Sequence, residues 1–398
     1  NRMNVKTLGI LAALTIAGIV LAIFVNQKPA SQFPQSGELL FPELLSVVND
    51  VNEMVVETKD QTVTLMRGEN AWRVKEKAGY RADVEKVKQT LIGLAELRIL
   101  EPKTKNPELY DRLGLQDKDQ EGSLSTTLTL KTPNNPEAAK VILGNQRPAK
   151  GNPRMSEIYA RKPGDPQTWL ITGNLPLEKV AGEWLDKEVT ALTTKRVHQV
   201  TVRHPGGDTL LVSKDKPEDL DFQLDSIPAG SKVASQFNVN NVVGTLVQLS
   251  LEDVKEAQEV NFQDRSGVTA VLETFDGLRL EVQTVKQEDK IFGKFSAEYD
   301  QNLVQPVDTI PFSEKGETVT APDSTEDEKA PQSSEAKKIE EMQEELSSKE
   351  DSVLKKPEEV RREVEAFNQR VGGWAYELPT FRVENFSKAK KDLLETIP

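Results

Sequence analysis

Residues 54–97 read MVVETKDQTVTLMRGENAWRVKEKAGYRADVEKVKQTLIGLAEL, and the fold prediction starts from this stretch. Alternating residues in Met54–Glu57 and Thr62–Leu65 predict a β-hairpin, and Trp72–Val74 predicts a third strand. A helix is predicted from Asp83 to Leu97, because Asp83 is a favourable N-cap and the following apolar residues share one helix face. The stretch therefore predicts three strands followed by a capped helix.

The same order of elements recurs in the second half of the chain. Val200–Val202 and Thr209–Val212 predict a hairpin, Phe222–Leu224 predicts a third strand, and Asn238 is the predicted N-cap of a helix. The apolar stripes of the two helices have the same spacing and consist of Val84, Val87, Leu91 and Leu94, and of Val239, Val242, Leu246 and Leu249. We therefore predict an α+β fold with two duplicated domains of about 150 residues each.

The remainder of each repeat also contains segments with the residue pattern of β-strands. The further predicted strands are Leu124–Leu130, Lys140–Leu143, Glu157–Ala160 and Thr168–Thr172, then Val268–Thr274, Leu278–Thr284, Lys294–Tyr299 and Trp374–Leu378. Each repeat ends in a predicted helical tail, which runs through Val180, Trp184 and Leu185 or through Phe386, Leu393 and Leu394. The predicted domains are residues 47–190 and 191–398.

A charged insertion at about 313–366 distinguishes the second repeat. Residues 314–365 contain 17 acidic and nine basic side chains, and the part up to about Ser334 has the composition of a disordered segment. Apolar residues seven positions apart then predict two helices separated by Pro357: Ile339, Leu346, Val353, Val360 and Phe367. These helices could form a short coiled-coil arm for a partner, or they could pack on their own domain.

The apolar run Leu8–Val25 predicts a membrane anchor within residues 1–28, followed by a linker at 29–46. Its 18 residues would span about 27 Å as a helix, close to the thickness of a bilayer core. Arg2 and Lys6 precede the run, which predicts a cytoplasmic N-terminus and an extracytoplasmic body. A cleaved signal peptide is the competing interpretation, although no convincing cleavage site follows the run.

Composition narrows the class of function. The chain has 398 residues and a net charge of −13, and the first 28 residues alone carry +3. The remaining −16 argues against nucleic acid as a partner, because phosphate binding requires basic surface. No cysteine is present, so thiolate catalysis, thiolate metal sites and disulfides are all excluded.

The sequence offers no set of residues for catalysis. His198 and His204 are the only histidines, and strand spacing would separate them by roughly 20 Å. We interpret His198 as a surface strand residue and His204 as a turn residue. The four tryptophans, Trp72, Trp169, Trp184 and Trp374, are predicted to fill the core. We therefore expect no catalytic residues, no metal-binding residues and no cofactor.

The pattern resembles that of DUF4340, a bacterial family of unknown function. The resemblance rests on the N-terminal anchor and on Val51–Glu57, Thr62–Arg67, Ala71–Asp83, Leu94–Arg98, Tyr110–Leu115 and Gly373–Pro379. It implies an accessory component of a gliding-type ABC transport system, with an ABC permease and a second anchored extracytoplasmic protein as partners. Residues 300–365 are not covered by it.

Together these features predict a non-enzymatic accessory subunit that is held in the bacterial inner membrane by Leu8–Val25. Its body would lie in the periplasm or extracytoplasmic space and act through protein contacts. A cell-envelope scaffold or substrate-binding module without a transporter is the alternative. A carboxylate-dependent glycan hydrolase is a third possibility.

A reporter fusion tests the predicted topology. A reporter that is active only outside the cytoplasm, fused after Pro398, should be active, because the basic residues before Leu8 stay inside. The same fusion lacking residues 1–28 serves as the control and should be inactive. Activity of a cytoplasm-specific reporter at this position would contradict the prediction.

Overall fold

The computed structural model describes residues 37–149, 152–264, 266–304 and 354–397. Within these ranges, no helix combines the length and apolar character needed to cross a membrane. The predicted anchor Leu8–Val25 lies outside the described residues. The chain divides into two compact units, one ending at Trp184 and the other beginning at Leu185.

The first unit is built on an antiparallel sheet of nine strands. The strands are β1 (Glu53–Glu57), β2 (Thr62–Arg67), β3 (Trp72–Val74), β4 (Tyr80–Arg81), β5 (Arg98–Pro102), β6 (Thr126–Thr132), β7 (Asn135–Ala149), β8 (Asn152–Arg161) and β9 (Thr168–Gly173). The helices are α1 (Leu44–Val47), α2 (Val84–Ala95) and α3 (Tyr110–Leu113).

The second unit has an antiparallel sheet of eight strands and a separate two-stranded sheet formed by β13 and β19. Its strands are β10 (Val197–Arg203), β11 (Thr209–Ser213), β12 (Gln223–Leu224), β13 (Ser231–Val233), β14 (Asp253–Glu256), β15 (Thr269–Thr274), β16 (Leu278–Gln287), β17 (Lys290–Tyr299), β18 (Trp374–Leu378) and β19 (Leu394–Thr396). The helices are α4 (Gln236–Val247), α5 (Pro357–Val371) and α6 (Thr380–Phe386). The prediction of an α+β fold is confirmed.

The two large sheets have the same strand order. The order is β4-β3-β2-β1-β6-β7-β8-β9-β5 in the first unit and β12-β11-β10-β15-β16-β17-β18-β14 in the second. Among the described strands of these two sheets, β4 is the one without a counterpart. In both units the strand that follows the helix pairs with the sheet strand that comes last in the chain. In the first unit β5 follows α2 and pairs with β9, and in the second unit β14 follows α4 and pairs with β18.

The capping of the two helices differs. Asp83 is the N-cap of α2, as predicted, and its carboxylate accepts a hydrogen bond of 3.0 Å from the backbone N–H of Lys86. Asn238 does not cap α4, which begins at Gln236 after Ser235. The side-chain oxygen of Asn238 instead accepts a hydrogen bond from Nζ of Lys388, so a tertiary contact replaces the cap.

The insertion lies between two neighbouring strands. Residues 162–167 connect β8 to β9 in the first unit, whereas residues 300–373 connect the equivalent β17 and β18. Of this connection, residues 305–353 lie outside the described residues, including the apolar positions Leu346 and Val353. The described end is α5, which begins with Pro357 at its first position as predicted and packs against β17.

Part of the predicted linker at 29–46 is folded. From Gly37 onward the chain packs on the first unit, where Leu39 bridges to Arg98, and Leu40 and Leu44 are buried. The polar and turn-forming residues of this stretch predict a linker, but Leu40 and Leu44 are buried in the core of the first unit, which is favourable because it removes apolar surface from water. Among the tryptophans, Trp72, Trp169 and Trp184 are buried and Trp374 is half-buried.

Helices α2 and α4 each contain one glycine, and replacement of these two glycines by alanine is predicted to have opposite effects on stability. A Cβ on Gly93 of α2 would lie 2.3 Å from the carbonyl oxygen of Asn174, whereas one on Gly244 of α4 would meet nothing within 4 Å. We expect Gly93→Ala to destabilise the protein by about 1–3 kcal/mol through overpacking.

Gly244→Ala is the matched control and should stabilise the protein by about 0.5–1 kcal/mol, because alanine loses less backbone entropy in a helix. Urea unfolding followed by circular dichroism measures both variants. Equal effects of the two substitutions would show that α2 does not pack closely on the chain around Asn174.

Candidate functional site

The two histidines lie in separate environments and use their rings in internal contacts. His198 is on β10, where its Nδ1 lies 2.9 Å from the carbonyl oxygen of Lys214 and its ring packs 4.9 Å from that of Phe275. His204 follows β10, and its two ring nitrogens lie near the carbonyl oxygens of Asp208 and Ser387. The strand and turn positions agree with the sequence prediction, but His198 is half-buried and not on the surface of its strand. No group of three or more possible metal ligands occurs in the described part of the chain.

An ionic cluster with a buried Arg196–Asp276 pair holds the described end of the insertion. We name it the insertion stem, and it consists of Arg196, Asp276, Lys355 and Glu363. Arg196 forms two hydrogen bonds to Asp276, of 2.9 and 3.2 Å, and two of 3.0 Å to Glu363 on α5. The side chains of Arg196 and Asp276 are 5% and 2% exposed. The guanidinium of Arg196 therefore bridges two carboxylates and attaches α5 to the turn between β15 and β16.

Lys355 completes the insertion stem from the other side. Its backbone N–H donates a 3.0 Å hydrogen bond to Asp276, and its ammonium lies 3.0 Å from a carboxylate oxygen of Glu363. Thr274 also donates a hydrogen bond to Asp276. The buried carboxylate of Asp276 and the half-buried carboxylate of Glu363 thus each have several donors, which is the condition under which a charge removed from water is tolerated.

The same turn also receives the chain where the insertion begins. The backbone N–H of Asp300 donates a 2.9 Å hydrogen bond to the carbonyl oxygen of Gly277. A Cβ on Gly277 would lie 3.0 Å from Cγ2 of Val304. Since Lys355 binds the adjacent Asp276, the chain leaves for residues 305–353 and returns from them at one turn.

The charges of the insertion stem shift two pKa values. Burial opposes the charge of Glu363, but hydrogen bonds and attraction from Arg196, followed by those of Lys355, outweigh it and lower the pKa of Glu363. Burial likewise opposes the charge of Arg196, yet Glu363 and Asp276 raise the pKa of its guanidinium. Both side chains therefore stay charged at neutral pH.

A cavity of about 320 Å³, which we name the stem pocket, adjoins this cluster. It is lined by Glu188, Thr190, Ala191, Leu192, Leu278, Leu280, Glu363, Ala366, Phe367 and Arg370. Its leucines and Phe367 form an apolar wall. Thr190 uses its hydroxyl to bind the backbone of Leu246 and Leu249, and Arg370 donates to the carbonyl of Val189.

The insertion stem lacks the electrostatics of a glycosidase pair, although two carboxylates meet there. Such an enzyme needs one carboxyl group with a raised pKa to protonate the leaving group. The pKa of Glu363 is instead lowered, and both Asp276 and Glu363 are bound to Arg196. The arrangement suits attachment of a helix better than proton transfer.

The sequence pattern did not single out the residues of the insertion stem. Arg196 lies 80 positions from Asp276 and 167 from Glu363, so no local spacing relates them. Glu363 is also one acid within a highly charged run. The single local signal is the Asp276-Gly277 pair, which is typical of a tight hairpin turn.

Comparison with known proteins matches the chain to a family model. The model of the family described as Domain of unknown function (DUF4340) matches residues 72–271, which are 200 of the 398 residues. The matched part runs from β3 of the first unit into β15 of the second. No curated protein and no solved structure matches the chain.

The lowered pKa of Glu363 predicts a pH-dependent contribution to stability. A carboxyl group whose pKa is lower in the folded than in the unfolded state stabilises the protein above the unfolded pKa, near 4.5. This contribution is lost as the pH falls through the lower, folded value. Glu363→Gln should therefore destabilise the protein at about pH 7, by roughly 1–3 kcal/mol.

The difference from the unmodified protein should shrink at about pH 3, which lies below the unfolded pKa, because the stabilisation that comes from the lowered pKa decreases there. Urea unfolding at the two pH values measures it. Glu365→Gln, an exposed change on the same helix, is the control and should have little effect at either pH. An effect of Glu363→Gln that is equal at both pH values would contradict the assignment.

Proposed function

The chain belongs to the DUF4340 family, and on that premise we propose that it is a membrane-anchored extracytoplasmic accessory subunit of an ABC-type transport system. It acts by protein contacts and not as an enzyme. Its partners are the ABC permease and a second anchored extracytoplasmic protein. The match supports membership of the family, and the role in transport is our inference.

The observation that carries the proposal is the insertion stem. Nearly 50 residues, 305–353, leave and return at one turn whose Asp276 is buried and bound by Arg196. The described residues on both sides of this segment, Asp300 and Lys355, are thus bound at one turn, and the strands β17 and β18 remain paired. A segment presented in this way suits contact with another protein.

The positions of the reactive side chains support a contact role. Nδ1 of His198 and both ring nitrogens of His204 lie near backbone carbonyl oxygens, which orients both rings as parts of the fold. Lys214 is buried and donates to the carbonyl oxygens of Pro217 and Asp219. Groups that could supply chemistry are thus used to hold strands and turns.

The apolar run Leu8–Val25 supports the membrane part of the proposal. Its length matches a bilayer core, and the basic residues before it favour a cytoplasmic N-terminus. The strongly acidic remainder disfavours nucleic acid as a partner. We accordingly place the body outside the cytoplasm of a bacterial cell, at the inner membrane.

One observation favours a second candidate function. The stem pocket has an apolar wall and a volume within the range of small-molecule sites. A substrate-binding module or envelope scaffold that works without a transporter would also use such a pocket. The two candidates differ in whether transporter subunits accompany the protein.

A membrane pull-down tests the proposal. The tagged full chain, solubilised in mild detergent, should capture an ABC permease and its ATPase above the level of an untagged strain. A variant with residues 306–352 replaced by a short Gly-Ser bridge should capture at least fivefold less. The bridge can be short because Val304 and Lys355 reach the same turn.

Two controls show whether a loss of capture is specific to the insertion. Replacement of Lys59 and Asp60 by Ser alters an exposed turn of the first unit and should leave capture unchanged. A thermal melt of the shortened chain close to that of the full chain would show that the fold is intact. Absence of transporter subunits from the full-chain capture would overturn the proposal. Undiminished capture by the shortened chain would remove the insertion from it.

A further inference from the structure

The first unit contains a second pocket, which we name the first-unit pocket. Its volume is about 550 Å³, within the range typical of small-molecule sites. Leu143 and Ile158 are buried at its base, and Leu175 and Leu177 contribute half-buried side chains from the segment after β9. The other lining residues are Leu124, Thr126, Gly144, Asn145, Gln146, Pro176 and Lys179.

The segment 174–179, which forms one wall, is fixed against α2. The hydroxyl of Thr90 donates a hydrogen bond to the carbonyl oxygen of Pro176, and the indole N–H of Trp184 donates one of 3.0 Å to that of Glu178. Gly93 allows the carbonyl of Asn174 to approach the helix closely. The wall is therefore preformed, which reduces the entropy lost on binding.

A β-bulge shapes the opposite side of the first-unit pocket. The pairing of β7 with β8 shifts register between Leu143 and Gln146. At Gly144 a Cβ would lie 2.2 Å from the carbonyl oxygen of Leu113, so the backbone comes too close for any side chain. The amide of Asn145 donates to the carbonyl of Arg112, while the side chain of Gln146 has no hydrogen bond to another described residue.

The charge of the first-unit pocket is positive in an acidic protein. Lys179 is the charged residue among those that line it, and it is exposed. Within the described part of the chain its ammonium forms no hydrogen bond or ion pair. The pocket thus combines one unpaired cation and one unused amide with an apolar base.

An exposed leucine extends the apolar surface to the edge of the first-unit pocket. Leu124 lines the pocket and is 75% exposed, which leaves most of a large apolar side chain in water. Val180, next to Lys179 in the chain, is 51% exposed. A bound apolar chain would remove such surface from water at about 25 cal/mol per Å².

We propose that the first-unit pocket binds a single-chain amphiphile with a carboxylate head, such as a medium-chain fatty acid. The alkyl chain lies against Leu143, Ile158 and Leu175. The carboxylate binds the ammonium of Lys179 and the amide N–H of Gln146. Charge selects an anion over a cation, and the apolar base selects an alkyl chain over a small hydrophilic anion.

The proposal is independent of the transport role. All residues that line the first-unit pocket lie within 124–179, inside the part of the chain that the family model matches. The stem pocket, in contrast, requires α5, which lies beyond that part. Ligand binding can therefore be measured on the full chain whatever its partners are.

Isothermal titration of the full chain in mild detergent, with ligands below their micelle concentrations, tests the proposal. Dodecanoate should bind at least tenfold more tightly than dodecylamine or dodecanol, since they lack the negative charge. Lys179→Gln should weaken dodecanoate binding about tenfold, which corresponds to about 1.4 kcal/mol. Lys179→Arg should retain most of the affinity.

Two further variants separate the apolar contribution from the charge. Leu124→Ser should weaken binding of dodecanoate and dodecanol by a similar factor, because it removes apolar contact alone. Lys59→Gln, a change of an exposed lysine in the same unit, should bind like the unmodified chain. Absence of dodecanoate binding would overturn the proposal, as would equal binding of all three ligands with no effect of Lys179→Gln.

Discussion

In each unit, the antiparallel pairing of the two strands of the large sheet that come last in the chain is the constraint on which the rest of the unit depends. β8 pairs with β9, and β17 pairs with β18, at the same place in the two strand orders. Antiparallel neighbours bring the end of one strand close to the start of the next, whatever the length of chain between them. The first unit closes this distance with residues 162–167, whereas the second carries its insertion there.

The insertion stem follows from that constraint. A long connection between paired strands leaves its two ends free to move apart unless contacts hold them together. Arg196 holds them by bridging Asp276 on the turn and Glu363 on α5, and Lys355 binds both acids. The buried Arg196–Asp276 pair favours this one arrangement, because either charge left without its partner would be costly.

The two units differ in the pockets that the shared architecture leaves. In the first unit the bulge at Gly144 and the segment 174–179 leave an opening with Lys179 at its edge. In the second unit α5 contributes a wall of the stem pocket, so that pocket depends on the connection that carries the insertion. One strand order thus supports two surfaces of different chemistry, which is how repeated folds acquire separate roles.

Local periodicity in the sequence was sufficient to predict the α+β class, the first hairpins of both units, the N-cap Asp83 and the helical start at Pro357. These features depend on residues within one or two turns of each other, so the pattern carries them. Only the tertiary structure showed that residues 37–46 fold, that Asn238 is bound by Lys388, and that Arg196 joins acids 80 and 167 positions away. Such contacts depend on which strands pair and on where the chain returns, and neither composition nor spacing encodes those distances.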